Sequence, residues 1–161
     1  MPIREFSGVD PNYTTLMRLG KGGFAAVTKV RRKSDGKVLA CKSIDIKDTA
    51  ILFAAQREAD ILKSLAGCPN IVQWTDDVSI DPRALQVHLH MEYYPHGSLR
   101  DYINSHWGTA SKDSVVQIWC CMATALAFCH GKGILHRDIK PDNSQSILIG
   151  ETKMVAAMFG Y

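Results

Sequence analysis

A glycine-rich stretch near the N-terminus could bind a phosphate group. Residues 20–27 read G-K-G-G-F-A-A-V and fit the pattern G-x-G-x-x-A-x-V. Glycines lack side chains, so backbone amides in such a stretch can approach a phosphate closely. The alternatives are an ordinary glycine turn and a dinucleotide-binding loop with Ala25 in its third glycine position. A dinucleotide loop opens a helix, whereas residues 26–30 continue as a strand, which favours a strand-loop-strand flap over a nucleotide.

A single ammonium group ends a mostly apolar strand further along the chain. Lys42 closes the run Val38-Leu39-Ala40-Cys41-Lys42. A lysine that points into the concave side of a sheet loses favourable hydration unless an anion meets it. Glu58, which lies sixteen residues later on a helical stripe, is the candidate partner. The alternative is that both side chains face solvent.

The most specific signal is the segment His136-Arg137-Asp138-Ile139-Lys140-Pro141-Asp142-Asn143. It matches H-R-D-x-K-P-x-N at six fixed positions, and a chance match in a chain of this length has a probability on the order of 10⁻⁶. With the glycine loop, Lys42 and Glu58 upstream in the same order, the sequence resembles the protein kinases. The lysine two residues after Asp138 is similar to that of the serine/threonine class. The resemblance covers about residues 13–161.

The resemblance implies an ATP site. The residues that it implies for this site are Gly20, Lys21, Gly22, Gly23, Val27, Ala40, Lys42, Glu58, Met91, Glu92, Tyr94 and Leu148. The glycine loop would cover the phosphates, and Lys42, paired with Glu58, would contact the α- and β-phosphates. The apolar members would enclose adenine, with Met91 at the back of the pocket. The backbone of residues 92–94 would hydrogen-bond the adenine ring.

The resemblance also implies roles in a chemical step, the transfer of a phosphoryl group from ATP to serine or threonine hydroxyls of proteins. Asp138 would accept the hydroxyl proton, and Lys140 would neutralise the moving γ-phosphoryl group. Asn143 would bind a magnesium ion. His136 and Arg137 would have structural roles. The implied cofactors are therefore ATP and Mg²⁺.

Three features depart from the kinase pattern. Met158-Phe159-Gly160 stands where the family has D-F-G, and a thioether is a poor ligand for a hard cation. Three additional residues, 144–146, separate Asn143 from an apolar strand and predict a loop. The chain ends at Tyr161, before the activation segment and A-P-E triplet of the family. We therefore expect phosphoryl transfer by this chain to be weak or absent.

Two other interpretations stand beside an active kinase. One is a pseudokinase that serves as a nucleotide-binding or scaffold module, and the other is a truncated gene product. ATP and an unidentified protein substrate or regulator are the expected partners. No basic cluster accompanies the three tryptophans, so nucleic acid is not expected. The most apolar stretch, Val115 to Cys129, has only fifteen residues and predicts a buried helix rather than a membrane span.

The elements that must position these residues follow from the periodicity of apolar residues. Alternation predicts strands, and a spacing of three to four residues predicts helices. The predicted strands fall within 12–44, 71–80 and 85–91, and the predicted helices within 48–65 and 111–130. The fold class is α+β, with a five-stranded antiparallel small lobe and one helix, followed by the start of a helical large lobe. We expect one incomplete kinase domain, with a small lobe at about 12–94 and a partial large lobe at about 97–161.

Composition and charge are typical of a globular domain. The 161 residues are 46% hydrophobic and 22% charged, and the net charge of +3 is spread along the chain. Five cysteines without a C-x-x-C pair argue against a disulfide framework or a zinc knuckle. The N-terminus lacks the apolar stretch of a signal peptide, so we expect an intracellular location, in the cytoplasm or nucleus. His88 and His90, which alternate with apolar strand residues, are expected to face solvent.

Overall fold

The computed structural model describes residues 4–5, 10–21, 25–68, 70–75, 78–106 and 108–144. Its elements are β1 Arg4–Glu5, β2 Tyr13–Lys21, β3 Ala25–Arg32, β4 Val38–Asp45, α1 Thr49–Ser64, β5 Ser79–Asp81, β6 Gln86–Glu92, α2 Leu99–Ser105, α3 Lys112–Gly131 and a 3₁₀ helix Pro141–Asn143. The chain divides into two compact units, residues 1–63 with 74–93 and residues 64–73 with 94–161. The predicted lobes, at about 12–94 and about 97–161, stay a prediction.

The first unit contains the sheet. Its strands lie in the order β1-β5-β6-β4-β3-β2, and every neighbouring pair is antiparallel except the parallel pair of β1 and β5. The predicted α+β class and five-stranded antiparallel sheet are confirmed, and the two-residue β1 is an addition at one edge. The strand predicted from Ile71 begins only at Ser79. The side-chain amide of Gln73 donates to the carbonyl oxygens of Cys68 and Ile71, and the next residue, Trp74, contributes an isolated bridge to Met91 of β6.

One face of the sheet packs against α1. The core on this face consists of Ile44, Ala55, Ala59, Val78, Val87 and Leu89. Two of these residues come from α1, and three come from β4 and β6. Because successive side chains of a strand point to opposite faces, Ala40 and Lys42 lie on the same face as Ile44. The predicted helix is confirmed, and Asp48 accepts a hydrogen bond from Ile51 N at its start.

The opposite face of the sheet carries a second core with two histidines beside it. This core consists of Tyr13, Val30, Leu39 and Cys41. The His90 ring stacks on Tyr13 at a centroid distance of 4.0 Å, and His88 Nδ1 lies 2.8 Å from Ser43 Oγ. The expectation that both histidines face solvent is wrong, because His90 is buried and His88 half-buried. The tyrosine ring from β2 and the serine hydroxyl from β4 make these positions favourable for imidazole.

In the second unit, side chains cap the starts of α2 and α3. Ser98 Oγ accepts from Asp101 N, and the Asp101 carboxylate accepts from Ser98 N, which together form a capping box. Ser111 Oγ accepts from Ser114 N at the start of α3. Both caps satisfy N–H groups that have no partner within the helix.

The long helix α3 lies where it was predicted, but it is not buried. Ala125 and Cys129 are its buried residues, whereas Val116 is 60% and Trp119 65% exposed. The helix has twenty residues and extends beyond both ends of the apolar stretch Val115 to Cys129. In the described part of the chain it is the one helix that is long and apolar enough to cross a membrane, a test that core helices of soluble proteins also pass.

Candidate active site

Lys42 and Glu58 form a buried ion pair in the first unit. Lys42 Nζ lies 2.7 Å from Oε1 and 2.8 Å from Oε2 of Glu58. Strand β4 places the lysine on the face that α1 covers, and Glu58 lies on the buried side of α1 with only 2% of its side chain exposed. Burial raises the pKa of Glu58, and the charge and hydrogen bonds of Lys42 oppose this rise. The solvent-facing alternative for these two residues is therefore wrong.

Three apolar residues predicted for the adenine pocket share a face of the sheet with Lys42. The strand register pairs Val27 with Lys42 and Ala40 with Met91. Residues directly opposite one another in an antiparallel pair project to the same face. Ala40 is buried, and Val27 and Met91 are half-buried. The structure thus brings these residues together beside the ammonium group.

The other predicted ATP-binding residues are divided between described and undescribed segments. Gly20 and Lys21 lie at the end of β2, where Gly20 pairs with Val27. Glu92 is the last residue of β6, and Tyr94 lies two residues further along the chain. The predicted residues that lie outside the described ranges are Gly22, Gly23 and Leu148.

Asp138, Lys140 and Asn143 converge in the second unit. Lys140 Nζ lies 3.1 Å from Oδ1 and 2.8 Å from Oδ2 of Asp138. The 3₁₀ helix turns the chain back, so that Asn143 Nδ2 donates to Asp138 Oδ2 at 2.7 Å and to the Asp138 carbonyl oxygen at 3.1 Å. The hydrogen bonds from Lys140 and then Asn143 lower the pKa of Asp138. The carboxylate is therefore held ionised and in one orientation.

The backbone turns sharply just before Asp138. Arg137 has a φ of 67°, in the left-handed region that residues with side chains rarely adopt. Asp138 N donates to His136 Nδ1 at 3.1 Å across this turn. His136 is buried, and this burial lowers its pKa, although the Asp138 charge acts in the opposite direction. The resemblance implied a structural role for His136 without a partner, and the structure identifies the backbone of Asp138 as one partner.

Ser144, the first residue of the predicted insertion 144–146, closes this loop. It is buried, its carbonyl oxygen accepts from Leu99 N at 2.7 Å, and its Oγ donates to Lys140 O at 3.3 Å. Leu99 is the first residue of α2, so Ser144 satisfies one of the N–H groups that the helix leaves open. Residues 145 and 146 fall outside the described ranges. No periodicity in the sequence points to this contact, because it joins distant segments.

The described residues do not by themselves fit a magnesium ion. Asn143 offers one neutral amide oxygen, because its nitrogen already donates to Asp138. Mg²⁺ prefers octahedral oxygen coordination that usually includes one or two carboxylates. Within the described ranges, no group of three or more His, Cys, Asp or Glu side chains could hold a metal ion. Met158 lies in the undescribed C-terminal segment, and its thioether suits a hard cation poorly.

Comparison with known proteins identifies the family. The profile described as "Protein kinase domain" matches residues 13–158. Calcium-dependent protein kinase 27 of Arabidopsis thaliana is 34% identical over 131 residues, which cover 78% of this chain and 26% of the relative. A probable casein kinase I homolog of Encephalitozoon cuniculi is 33% identical over 132 residues, or 82% of this chain and 40% of the relative. Serine/threonine-protein kinase Nek8 of Danio rerio is 32% identical over 140 residues, which cover 85% of this chain and 19% of the relative.

These matches cover nearly all of the residues that carry the candidate site. The chain spans between 19% and 40% of the length of these three relatives. The matched region includes the glycine loop, the ion pair of Lys42 and Glu58, and the segment 136–143. On this evidence the chain belongs to the protein kinase family.

Proposed function

We propose that this chain is a serine/threonine protein kinase domain that binds ATP and transfers its γ-phosphoryl group slowly to protein hydroxyls. The observation that carries the proposal is the buried ion pair of Lys42 and Glu58. In protein kinases a lysine of the sheet must pair with a glutamate of the adjacent helix before the phosphates are held correctly. Neither partner would be stable at so little exposure without the other.

The proposed roles follow from the charges of each residue. The ammonium group of Lys42 would bind the α- and β-phosphates of ATP. Asp138 would accept the proton of the substrate hydroxyl while the hydroxyl oxygen forms a bond to the γ-phosphorus of ATP and ADP leaves. Lys140, which already lies 2.8 Å from the Asp138 carboxylate, would offset the charge on the transferred group. Hydrogen bonds from Asn143 would orient Asp138 for this step.

The transfer is proposed to be slow because of Met158. This residue stands where the family has a magnesium-binding aspartate. If the metal contributes about 4 kcal/mol of charge stabilisation in the transition state, a weakened site would lower the rate roughly a thousandfold. The same residue favours a second candidate function, a pseudokinase that holds nucleotide without turnover.

Two measurements on the intact chain test the proposal. Thermal denaturation with and without ATP should show stabilisation of about 2.7 kcal/mol when ATP is one hundred times its dissociation constant. Lys42→Met should abolish this ATP-induced shift. Lys33→Met, which removes a lysine from an exposed turn, is the matched control and should retain the shift.

Phosphoryl transfer from labelled ATP to a basic protein substrate should be low but detectable, and Asp138→Asn should remove it. Asp142→Asn removes an exposed carboxylate from the same loop and should leave transfer intact. If ATP stabilised the chain but the wild type and Asp138→Asn incorporated equal amounts of labelled phosphate into the substrate, the result would favour the pseudokinase. No shift in either the wild type or the control would exclude both functions.

We also propose an intracellular location, in the cytoplasm or nucleus. None of the five cysteines, all of which lie in the described ranges, forms a disulfide in the structure. Thiols persist in reducing compartments, whereas secreted proteins commonly form disulfides. We propose that the substrate is a protein with an accessible serine or threonine hydroxyl.

A further inference from the structure

We propose that Cys41, Ser43 and His88 form a binding site for a zinc ion, on the face of the sheet opposite the Lys42 side chain. The three residues come from β4 and β6, whose register pairs Ser43 directly with His88. Successive side chains of a strand point to opposite faces, so Cys41 and Ser43 share one face while Lys42, between them, projects to the face that α1 covers. The site is separate from the candidate active site and does not rest on the proposed function.

The polar atoms of these three side chains converge on one point. Ser43 Oγ lies 2.8 Å from His88 Nδ1, and Cys41 Sγ lies 3.8 Å from that nitrogen and 3.9 Å from that oxygen. A point equidistant from the three atoms is about 2.1 Å from each, which matches the usual distances from zinc to nitrogen and oxygen ligands. Zinc–sulfur bonds are longer, at about 2.3 Å, so the ion would lie outside the plane of the three atoms and leave a fourth position for water.

The donor atoms suit a cation that prefers sulfur and nitrogen. Thiolate sulfur and imidazole nitrogen are the common protein ligands of zinc. The cluster contains only two side chains of the His, Cys, Asp and Glu types, and the hydroxyl of Ser43 supplies the third donor. Ser43 Oγ and His88 Nδ1 share a hydrogen bond, whichever of them donates. A bound ion would take the place of that proton between the two atoms.

The surroundings of Cys41 determine how an ion would bind. Burial raises the pKa of the Cys41 thiol to about 12, the hydrogen bond with Ser43 opposes this rise, and the negative charge of Asp10 adds to it. The thiol is therefore protonated at pH 7, and binding would break its S–H bond, form a zinc–sulfur bond and release the proton to water. The charge of Asp10 also attracts a cation. Ser43 and His88 are half-buried, so an ion can reach the cluster from solvent.

A bound ion would link β4 to β6 beside the Lys42 position. In this ladder Lys42 pairs with Leu89, the residue after His88. An ion that binds the folded chain and not the unfolded one stabilises the fold. Zinc should therefore raise the melting temperature without contacting the residues that carry the candidate active site.

Absorption spectroscopy of the intact chain with Co²⁺, used as a visible substitute for zinc, tests the inference. The chain is reduced, treated with a chelator, and titrated first with Co²⁺ and then with Zn²⁺. Cys41→Ala removes the thiol, and His88→Gln removes the imidazole ring. Cys68→Ala is the matched control for the first variant, because Cys68 is also a buried cysteine. His106→Gln is the control for the second, because His106 is an exposed histidine at the end of α2.

In the wild type we expect one equivalent of Co²⁺ to produce a thiolate-to-cobalt charge-transfer absorption. One equivalent of Zn²⁺ should remove this absorption, raise the melting temperature and release about one proton per ion at pH 7. Cys41→Ala should lose the absorption, and His88→Gln should bind Co²⁺ at least about tenfold more weakly. Cys68→Ala and His106→Gln should behave as the wild type does.

A wild type without the charge-transfer absorption at one equivalent of Co²⁺ would overturn the inference. An absorption that persists in Cys41→Ala, or that disappears in Cys68→Ala, would do the same, because the thiol ligand would then lie elsewhere. If Cys41→Ala does not fold, nitrogen resonances of the wild type decide the question: Zn²⁺ should shift the Nδ1 resonance of His88, and an unchanged resonance would refute the site. None of these measurements needs ATP, so the proposed function can fail in its own assay while this inference holds, and the reverse is equally possible.

Discussion

The ammonium group of Lys42 contacts both carboxylate oxygens of Glu58, at 2.7 and 2.8 Å, between β4 and α1. Both side chains are largely removed from water. A buried ion pair adds little net stability compared with an apolar pair, but a buried charge without its partner is strongly unfavourable. Lys42 and Glu58 should therefore be sensitive to single substitutions and tolerant of a joint one.

Lys42→Met should lower the free energy of unfolding by about 3–5 kcal/mol, because it leaves the Glu58 carboxylate buried and uncompensated. Lys42→Met with Glu58→Leu should recover most of this loss. Urea denaturation of the three proteins measures both effects, with Lys33→Met as the control that should remain near the wild type. If Lys42→Met were as stable as Lys33→Met, the carboxylate of Glu58 would have to reach solvent when Lys42 is removed.

The same substitution should change how stability depends on pH. Burial already raises the pKa of Glu58, and removal of Lys42 takes away the charge that opposes this rise. A raised carboxylate pKa means that the folded state binds more protons than the unfolded state, so stability falls as pH rises through the raised value. The loss in Lys42→Met should thus be smaller at acid pH than at pH 8. Equal losses in urea at both values would contradict this.

Asp138 should respond in the opposite direction. Hydrogen bonds from Lys140 and then Asn143 lower its pKa, so its contribution to stability is present above the ordinary aspartate value and is lost as pH falls through the lowered one. Lys140→Met should raise the pKa of Asp138 most, and Asn143→Ala should raise it less. Carboxyl ¹³C titration measures both shifts.

Asp101 provides an internal reference for this titration. Hydrogen bonds from Ser98 lower its pKa, and neither Lys140 nor Asn143 contributes to that shift. Its titration should be unchanged in both variants. If Asp138 also titrated as in the wild type, its contacts with Lys140 and Asn143 would be too weak to orient it.

The sequence predicted the parts of the fold that depend on local patterns. Alternation identified the hairpin of β3 and β4, and helical spacing identified α1 with Asp48 at its start. Lys42 was identifiable because a charged residue in an apolar strand calls for a counter-ion. The strands and the helix were predicted from residues close together in the chain, and the ion pair was predicted from one lysine that required a counter-ion.

Other features depend on contacts that no local pattern encodes. His90 is buried because Tyr13 from a distant strand stacks on it, and Ser144 is buried because α2 donates to its carbonyl oxygen. The apolar residues of α3 spread around the helix instead of forming one stripe, so their pattern does not identify which side of the helix is covered. The Met158 position, on which the proposed rate depends, lies outside the described ranges.

Gly97 should tolerate alanine less well than Gly108 does. Both have a positive φ, of 78° and 77°, so alanine carries a similar backbone cost at each. A Cβ atom at Gly97 would lie 2.9 Å from Asp101 Oδ2, whereas one at Gly108 would meet nothing within 4 Å. Gly97→Ala should therefore also disturb the capping box of α2, at a further cost of about 1 kcal/mol. Equal urea midpoints for the two variants would show that the box adjusts freely.

The apolar surface of α3 should cause the chain to self-associate. Val116 and Trp119 are 60% and 65% exposed, and contiguous apolar surface of this kind is unfavourable in water. Size-exclusion chromatography with light scattering should show a mass that rises with concentration. Trp119→Lys should shift the distribution toward the monomer, because it replaces the largest exposed ring with a hydrated charge. Thr124→Lys adds the same charge at another exposed position of α3 and should have little effect. A wild type that remains monomeric throughout would show that these side chains do not drive association.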